Sequence, residues 1–140
     1  PRKGQGKKNV IFSPQSTLNF GSFATTAANP WINITPTGIR TSANVFIGGT
    51  TKSQATFTLT ETTCANQLFS ILLPADNEAQ LTDGGTNTMN LTAFDSYPAG
   101  SVLLDEFGEG ILQVGATLNP IYPQVAGSYS GSYVIEVVLQ

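Results

Sequence analysis

The side chains in this 140-residue chain that could do covalent or metal chemistry are few: one thiol (Cys64), nine carboxylates, six cations and no histidine. Without imidazole, neither a Ser-His-Asp triad nor a histidine-ligated metal can be built, and a single cysteine cannot close an internal disulfide. No G-x-S-x-G turn and no P-loop occurs. The carboxylates are dispersed, so pairing Glu61 with Asp76 defines no glycosidase-like site, and neither Lys8 nor Lys52 comes with an evident activating partner. The chain reads as a non-enzyme without a cofactor. Three groupings could bind rather than react. Asp105, Glu106 and Glu109 around Gly108 offer oxygens to Ca²⁺, but lack the spaced D-x-[DN]-x-[DN]-G loop and read as a solvated turn. Trp31, Tyr97 and Tyr122 each adjoin a proline and fit either a sugar-stacking platform or loop anchors packed on the end of a sandwich. Asn33-Ile34-Thr35 and Asn90-Leu91-Thr92 match the glycosylation sequon, which matters only in a cell that glycosylates such sites. Cys64 reads as a small buried side chain, with an intermolecular disulfide as the other reading.

Four of the six cations, Arg2, Lys3, Lys7 and Lys8, fall in the first eight positions. Residues 9–140 therefore carry two bases, Arg40 and Lys52, against nine acids, a net −7. An acidic body argues against a nucleic-acid-binding surface, although the short arm could touch phosphates or an acidic neighbour. Charged residues are only 11% of the chain and hydrophobic ones 40%, too apolar for disorder, and no apolar run approaches the roughly 20 residues of a membrane span. One domain is expected, and the start at Pro1 without a signal peptide fits a mature or excised product.

The elements that must position these residues are strands. Thr, Val, Ile, Phe and Tyr recur in short alternating runs, and no window holds a helical apolar period. Strands are predicted over 16–23, 31–35, 43–47, 55–61, 67–73, 88–94, 101–104 and 111–118, divided by turn signals such as Asp83-Gly84-Gly85 and Gly108-Glu109-Gly110. The last strand is the clearest. Tyr129, Gly131, Tyr133, Ile135, Val137 and Leu139 alternate with more polar positions and should face inward. The fold class is all-β, an immunoglobulin-like β-sandwich. Residues 1–15 read as a basic arm and 16–140 as the sandwich. The last strand leads directly to Gln140, so its outer edge is expected to lack a partner within the chain and to invite another strand.

The segments Val114-Gly115-Ala116-Thr117-Leu118 and Gln124-Val125-Ala126-Gly127-Ser128-Tyr129-Ser130-Gly131-Ser132-Tyr133, with the strand to Gln140, resemble bacterial subunits of the chaperone-usher pilin type. They are similar in particular to spore-coat-U-like and related pilin-like domains. Leu18-Asn19-Phe20-Gly21-Ser22-Phe23, Ile34-Thr35-Pro36-Thr37-Gly38-Ile39-Arg40 and Ala55-Thr56-Phe57-Thr58-Leu59-Thr60 extend the resemblance over residues 16–140. Many pilins of the broader superfamily carry a disulfide, which this chain lacks. The resemblance implies an incomplete sandwich, completed by the amino-terminal strand of a neighbouring subunit. It implies a homopolymeric extracellular fimbrium, with a periplasmic chaperone and an outer-membrane usher as partners.

On that reading the donor residues are Val10, Ile11 and Phe12, and the acceptor groove is lined by Leu18, Phe20, Phe23, Tyr129, Tyr133, Ile135, Val137 and Leu139. The donor pattern is short, since the even series Gly4, Gly6, Lys8, Val10, Phe12 carries apolar side chains only at its last two positions. The other reading makes Val10, Ile11 and Phe12 the start of the domain's own first strand, with Pro14 at a kink or edge. Two further classes stand beside the fibre: a monomeric adhesin or carbohydrate-binding module, with a host or surface glycan as ligand, and a shell protein whose basic arm contacts nucleic acid.

Overall fold

The apolar and polar side chains that recur in 55–60 and 109–119 become the strands on which the fold is built. The computed structural model describes residues 11–140. Apart from one 3₁₀ turn at Thr62–Cys64, its regular structure is strand: β1 (Ile11–Ser16), β2 (Phe23–Thr25), β3 (Trp31–Ile34), β4 (Arg40–Ala43), β5 (Val45–Ile47), β6 (Ala55–Thr60), β7 (Leu68–Leu72), β8 (Ala79–Thr82), β9 (Thr88–Tyr97), β10 (Ser101–Leu103), β11 (Glu109–Asn119) and β12 (Glu136–Leu139). Every ladder is antiparallel. The fold is all-β, with the curled sheets of a β-sandwich. No helix among the described residues is long and apolar enough to cross a membrane.

The eleven-residue β11 is the spine of the large sheet. Its first part, 109–114, pairs with β6, which in turn pairs with β1; residues 116–118 pair with β3, which carries β4; and 113–119 pair on the other side with β9, beyond which lies β8. The small sheet runs β10-β7-β12, and β2 with β5 makes a separate ribbon. Period-two alternation sends Leu112 and Val114 into one buried cluster with Leu59, Cys64, Phe69, Val102 and Leu104. Ala116 and Leu118 enter a second cluster with Phe20, Ile32, Ile34, Met89 and Leu91.

Several boundaries differ from those read from the sequence. The first strand lies at 11–16 rather than 16–23, so the large sheet takes in residues assigned to the arm. Its register shifts between Pro14 and Ser16, because proline cannot donate to a regular ladder. The span 16–23 is broken at Gly21, which has φ +88° and sits so close to the Thr51 carbonyl that a Cβ would lie 2.4 Å from it. β8 went unread because Ala79-Gln80-Leu81-Thr82 is short and poor in β-branched residues; pairing with β9 makes it a strand. Cys64 is buried, 1% exposed, with its thiol free.

At Gly115 the partner on one side of β11 changes from β6 to β3: Val114 faces Ala55 and Ala116 faces Ile34. A Cβ here would meet the Ile34 carbonyl oxygen at 2.1 Å and the Thr35 carbonyl carbon at 2.6 Å, backbone that cannot swing aside. Gly115→Ala should therefore destabilise by roughly 2–4 kcal/mol, the range of severe packing and backbone faults. Urea unfolding followed by circular dichroism reads this, with Gly49→Ala, whose surroundings are open but whose φ is +119°, as the backbone-strain comparison.

Candidate functional site

The last stretch of the chain changes sheets. Ser130 exchanges both backbone hydrogen bonds with Thr82 of β8, at 2.8 and 2.9 Å, and Gly131 lies so close to β8 that a Cβ would stand 2.2 Å from the Gln80 carbonyl oxygen. The chain then crosses to the small sheet and pairs with β7 only from Glu136 onward. The single long strand expected over 129–140 is thus a bridge, a crossing and the four-residue β12. Its alternation survives the change of sheet: Tyr133, Ile135, Val137 and Leu139 are half-buried, while residues 134, 136, 138 and 140 are exposed.

Among the described residues β12 has one ladder neighbour, β7, which leaves the other edge of the strand unpaired. That edge has no lysine and no proline; Glu136 is its one charge. Ile135, Val137 and Leu139 pack on the first cluster without being fully buried, and so does Phe12 from β1, the edge strand of the large sheet. Two edge strands therefore cover this cluster with half-buried side chains. A cavity of about 380 Å³ opens where the crossing leaves the large sheet, lined by Leu73, Pro74, Glu78, Ser132, Tyr133 and Glu136 among others.

The proposed donor residues straddle the boundary of the described region. Val10 lies outside the described residues. Ile11 and Phe12 sit in β1, opposite Thr60 and Leu59 of the same chain, and the Phe12 ring meets Phe57 edge-on at 5.8 Å. The groove residues do not form one surface. Phe20 is only 5% exposed and belongs to the second cluster, on which Phe23 and Tyr129 also pack, whereas Ile135, Val137 and Leu139 serve the first; Leu18 and Tyr133 touch both. Tyr129 is further held by its hydroxyl, which donates to the Val125 carbonyl at 2.5 Å and accepts from Gln124 at 3.0 Å.

Both cations of the described region are tied to backbone. Arg40 donates to the carbonyls of Phe20 (3.2 Å), Thr51 (3.0 Å) and Gly49 (3.1 Å), and the Lys52 ammonium donates to that of Gly38. The carboxylates mostly cap turns. Asp105 accepts from the amides of Phe107 and Glu109, at 2.8 and 3.0 Å, so the 105–109 turn is satisfied from within. Asp83 accepts from the Asn87 side chain and the Gly85 amide, both at 2.8 Å, and these bonds, that of Asn87 foremost, hold its carboxyl below the usual range. Among the described residues no three His, Cys, Asp or Glu side chains gather as a metal site.

One feature escaped the sequence reading. The outward side chains of β3, β11, β9 and β8 form a linked amide and hydroxyl row, in which Asn33 donates to the Thr117 hydroxyl (2.9 Å), Asn119 to that of Thr92 (2.8 Å) and Gln80 to the Asn90 carbonyl oxygen (2.6 Å). The signal lay in the alternation of Asn and Thr with Ile and Leu in these strands. It becomes a row only once the strand order is known.

The chain belongs to the family described as a domain of unknown function, DUF4402, whose model matches residues 11–138. No curated protein and no solved structure matches it.

Tyr133 gives the β12 crossing a pH signature. Burial pushes its phenol from an ordinary 10.0 up to about 12. A pKa raised on folding favours the protonated form, so the contribution is complete below pH 10 and is lost as pH rises through the interval to about 12. Tyrosinate absorbance of the native chain should show one phenol titrating late, and Tyr133→Phe should remove that phase. The variant's melting temperature should also fall less steeply than that of the wild type across this interval.

Proposed function

We propose that this chain is a structural subunit of an extracellular fibre, a pilus or fimbria, in which the free edge of β12 is extended by an amino-terminal strand of the next subunit. The observation that carries the reading is the β12 edge itself: one ladder neighbour among the described residues, no guarding lysine or proline in the strand, and inward side chains left half-buried on the first cluster. Strand addition would pair that edge with main-chain hydrogen bonds and cover those side chains. Each donor side chain fully buried adds about 1.5–3 kcal/mol, so two or three of them rival the stability of a small domain. Val10 and Phe12 are the donor's apolar anchors on this reading, and Phe12 exchanges its place beside its own Phe57 for one on a neighbour. The sandwich is then of the incomplete immunoglobulin-like kind. A periplasmic chaperone that covers β12 before assembly and an outer-membrane usher are the further partners it calls for.

A second reading, a monomeric adhesin or carbohydrate-binding module, is favoured by one observation: β1 pairs with β6 of its own chain and Phe12 packs on its own Phe57. Electron microscopy of native material and of the chain lacking residues 1–13 separates the two. Fibres from the full chain, absent from a truncated chain that retains β-type circular dichroism, are the expected result. Val10→Asp, which leaves β1 intact, should likewise suppress fibres. Fibres from every sample would remove the donor assignment, and folded monomers from every sample would remove the fibre reading and favour the second.

A further inference from the structure

The outward face of the large sheet has two parts. Like the small sheet, which exposes Leu68, Leu72, Leu103 and Val138, its β1 side exposes Ile11, Tyr97 and Ile111, whereas beyond Gly115 it turns the amide and hydroxyl row of β3, β11, β9 and β8 outward. Along this row Asn33, Thr117, Thr92, Asn119 and Asn90 are half-buried, and each of the three amide donations fixes a side chain in one orientation. The Asn33 and Asn119 carbonyl oxygens, the Asn90 amide nitrogen and the Gln80 carbonyl oxygen have no partner among the described residues. The result is a preorganised set of neutral donors and acceptors, on strands about 4.8 Å apart.

One border of the row carries an indole. Trp31 opens β3 one step beyond Ile32, which faces Leu118, and this places it beside Asn119 in the same register; its side chain is 37% exposed. Tyr122, 51% exposed, follows three residues after Asn119. Neutral hydrogen-bonding groups held flat beside an exposed indole match the chemistry of a sugar polymer, whose hydroxyls take both donors and acceptors and whose ring faces are apolar.

We propose that this face binds a neutral glycan chain, with Asn33, Asn90, Asn119 and Gln80 addressing hydroxyls and Trp31 stacking on a sugar ring. Charge selects among the alternatives. Among the described residues the charge nearest the row on this face is the exposed carboxylate of Asp95, opposite Gly115, and Arg40 and Lys52 are spent on backbone carbonyls, so neither nucleic acid nor an anionic polysaccharide finds a counter-charge among them. A protein partner would call for an apolar anchor at the centre of the patch, where this face has amides. The site lies on the large sheet, away from the β12 edge, and is independent of the fibre reading. In a fibre it would repeat on every subunit, so weak single contacts would add up as avidity.

The test is co-sedimentation of the full chain with insoluble neutral polysaccharides (a β-glucan, a mannan, a galactan and chitin), with an anionic polysaccharide on beads for comparison, at low and high salt. It reads monomers and fibres alike. At least one neutral polymer should bind with little salt dependence, and Trp31→Ala should weaken that binding about tenfold, the upper end of what an aromatic contact supplies. Gln80→Ala, an exposed change, should weaken it too, while Phe107→Ala, an exposed aromatic in the 105–109 turn, should leave it unchanged. Melting temperatures establish that each variant is folded, and if Trp31→Ala fails to fold, Gln80→Ala decides. Failure of all four neutral polymers to bind, binding of the anionic polymer alone, or wild-type binding by the folded variants would overturn the proposal. A full chain that binds the polymer yet forms no fibres would count against the fibre reading alone.

Discussion

One strand must satisfy three neighbours at once, and the large sheet follows from that constraint. β11 pairs with β6 and then β3 along one side and with β9 along the other, and its alternate side chains feed both buried clusters. The change of partner needs a residue without a Cβ, because the backbone of Ile34 and Thr35 occupies the space where one would stand. Nearby the ladder to β9 slips between Gly115 and Thr117, and Ala93 takes a positive φ of 52°, so the accommodation is shared by both strands. Bulges of this kind bend a sheet and raise its twist, which is how strands curl around a core.

Much of this was legible in the sequence because period-two alternation survives translation into structure. The centres of β3, β6, β7, β9, β10 and β11 lie where the pattern places them, and so do the inward positions of the last stretch except Gly131, which is exposed beside β8. What was not legible depends on partners. Nothing in Ala79-Gln80-Leu81-Thr82 marks a strand until β9 lies beside it. Nothing in Ile11 and Phe12 tells whether they serve their own sheet or another's. Phe20 is a groove residue on the pilin resemblance, and which of the two clusters it joins, the second, depends on its neighbours. The amide row was hidden for the same reason, since its members come from four strands far apart in sequence.

The two faces divide the molecule's chemistry. Among the described residues backbone pairing is unfinished at β12, where the small sheet has apolar side chains on its outer as well as its inner surface. Among the described residues, side-chain hydrogen bonding is unfinished along the amide row on the outer face of the large sheet. The carboxylates mostly serve turns, and the cations Arg40 and Lys52 clamp loop carbonyls. Their role is architectural, and the negative charge of the body is left without internal compensation from either.

The buried thiol of Cys64 places a chemical timer inside the first cluster. At 1% exposure it is closed to alkylating reagents while the cluster is intact, and Phe12 from β1 and the inward side chains of β12 help cover that cluster. The rate at which a maleimide or iodoacetamide finds this sulfur is therefore set by how often the edges of the sandwich part. A strand added along β12 would slow that clock, and a strand withdrawn from β6 would quicken it, so the chain's single cysteine reports on the state of both edges without any engineered label.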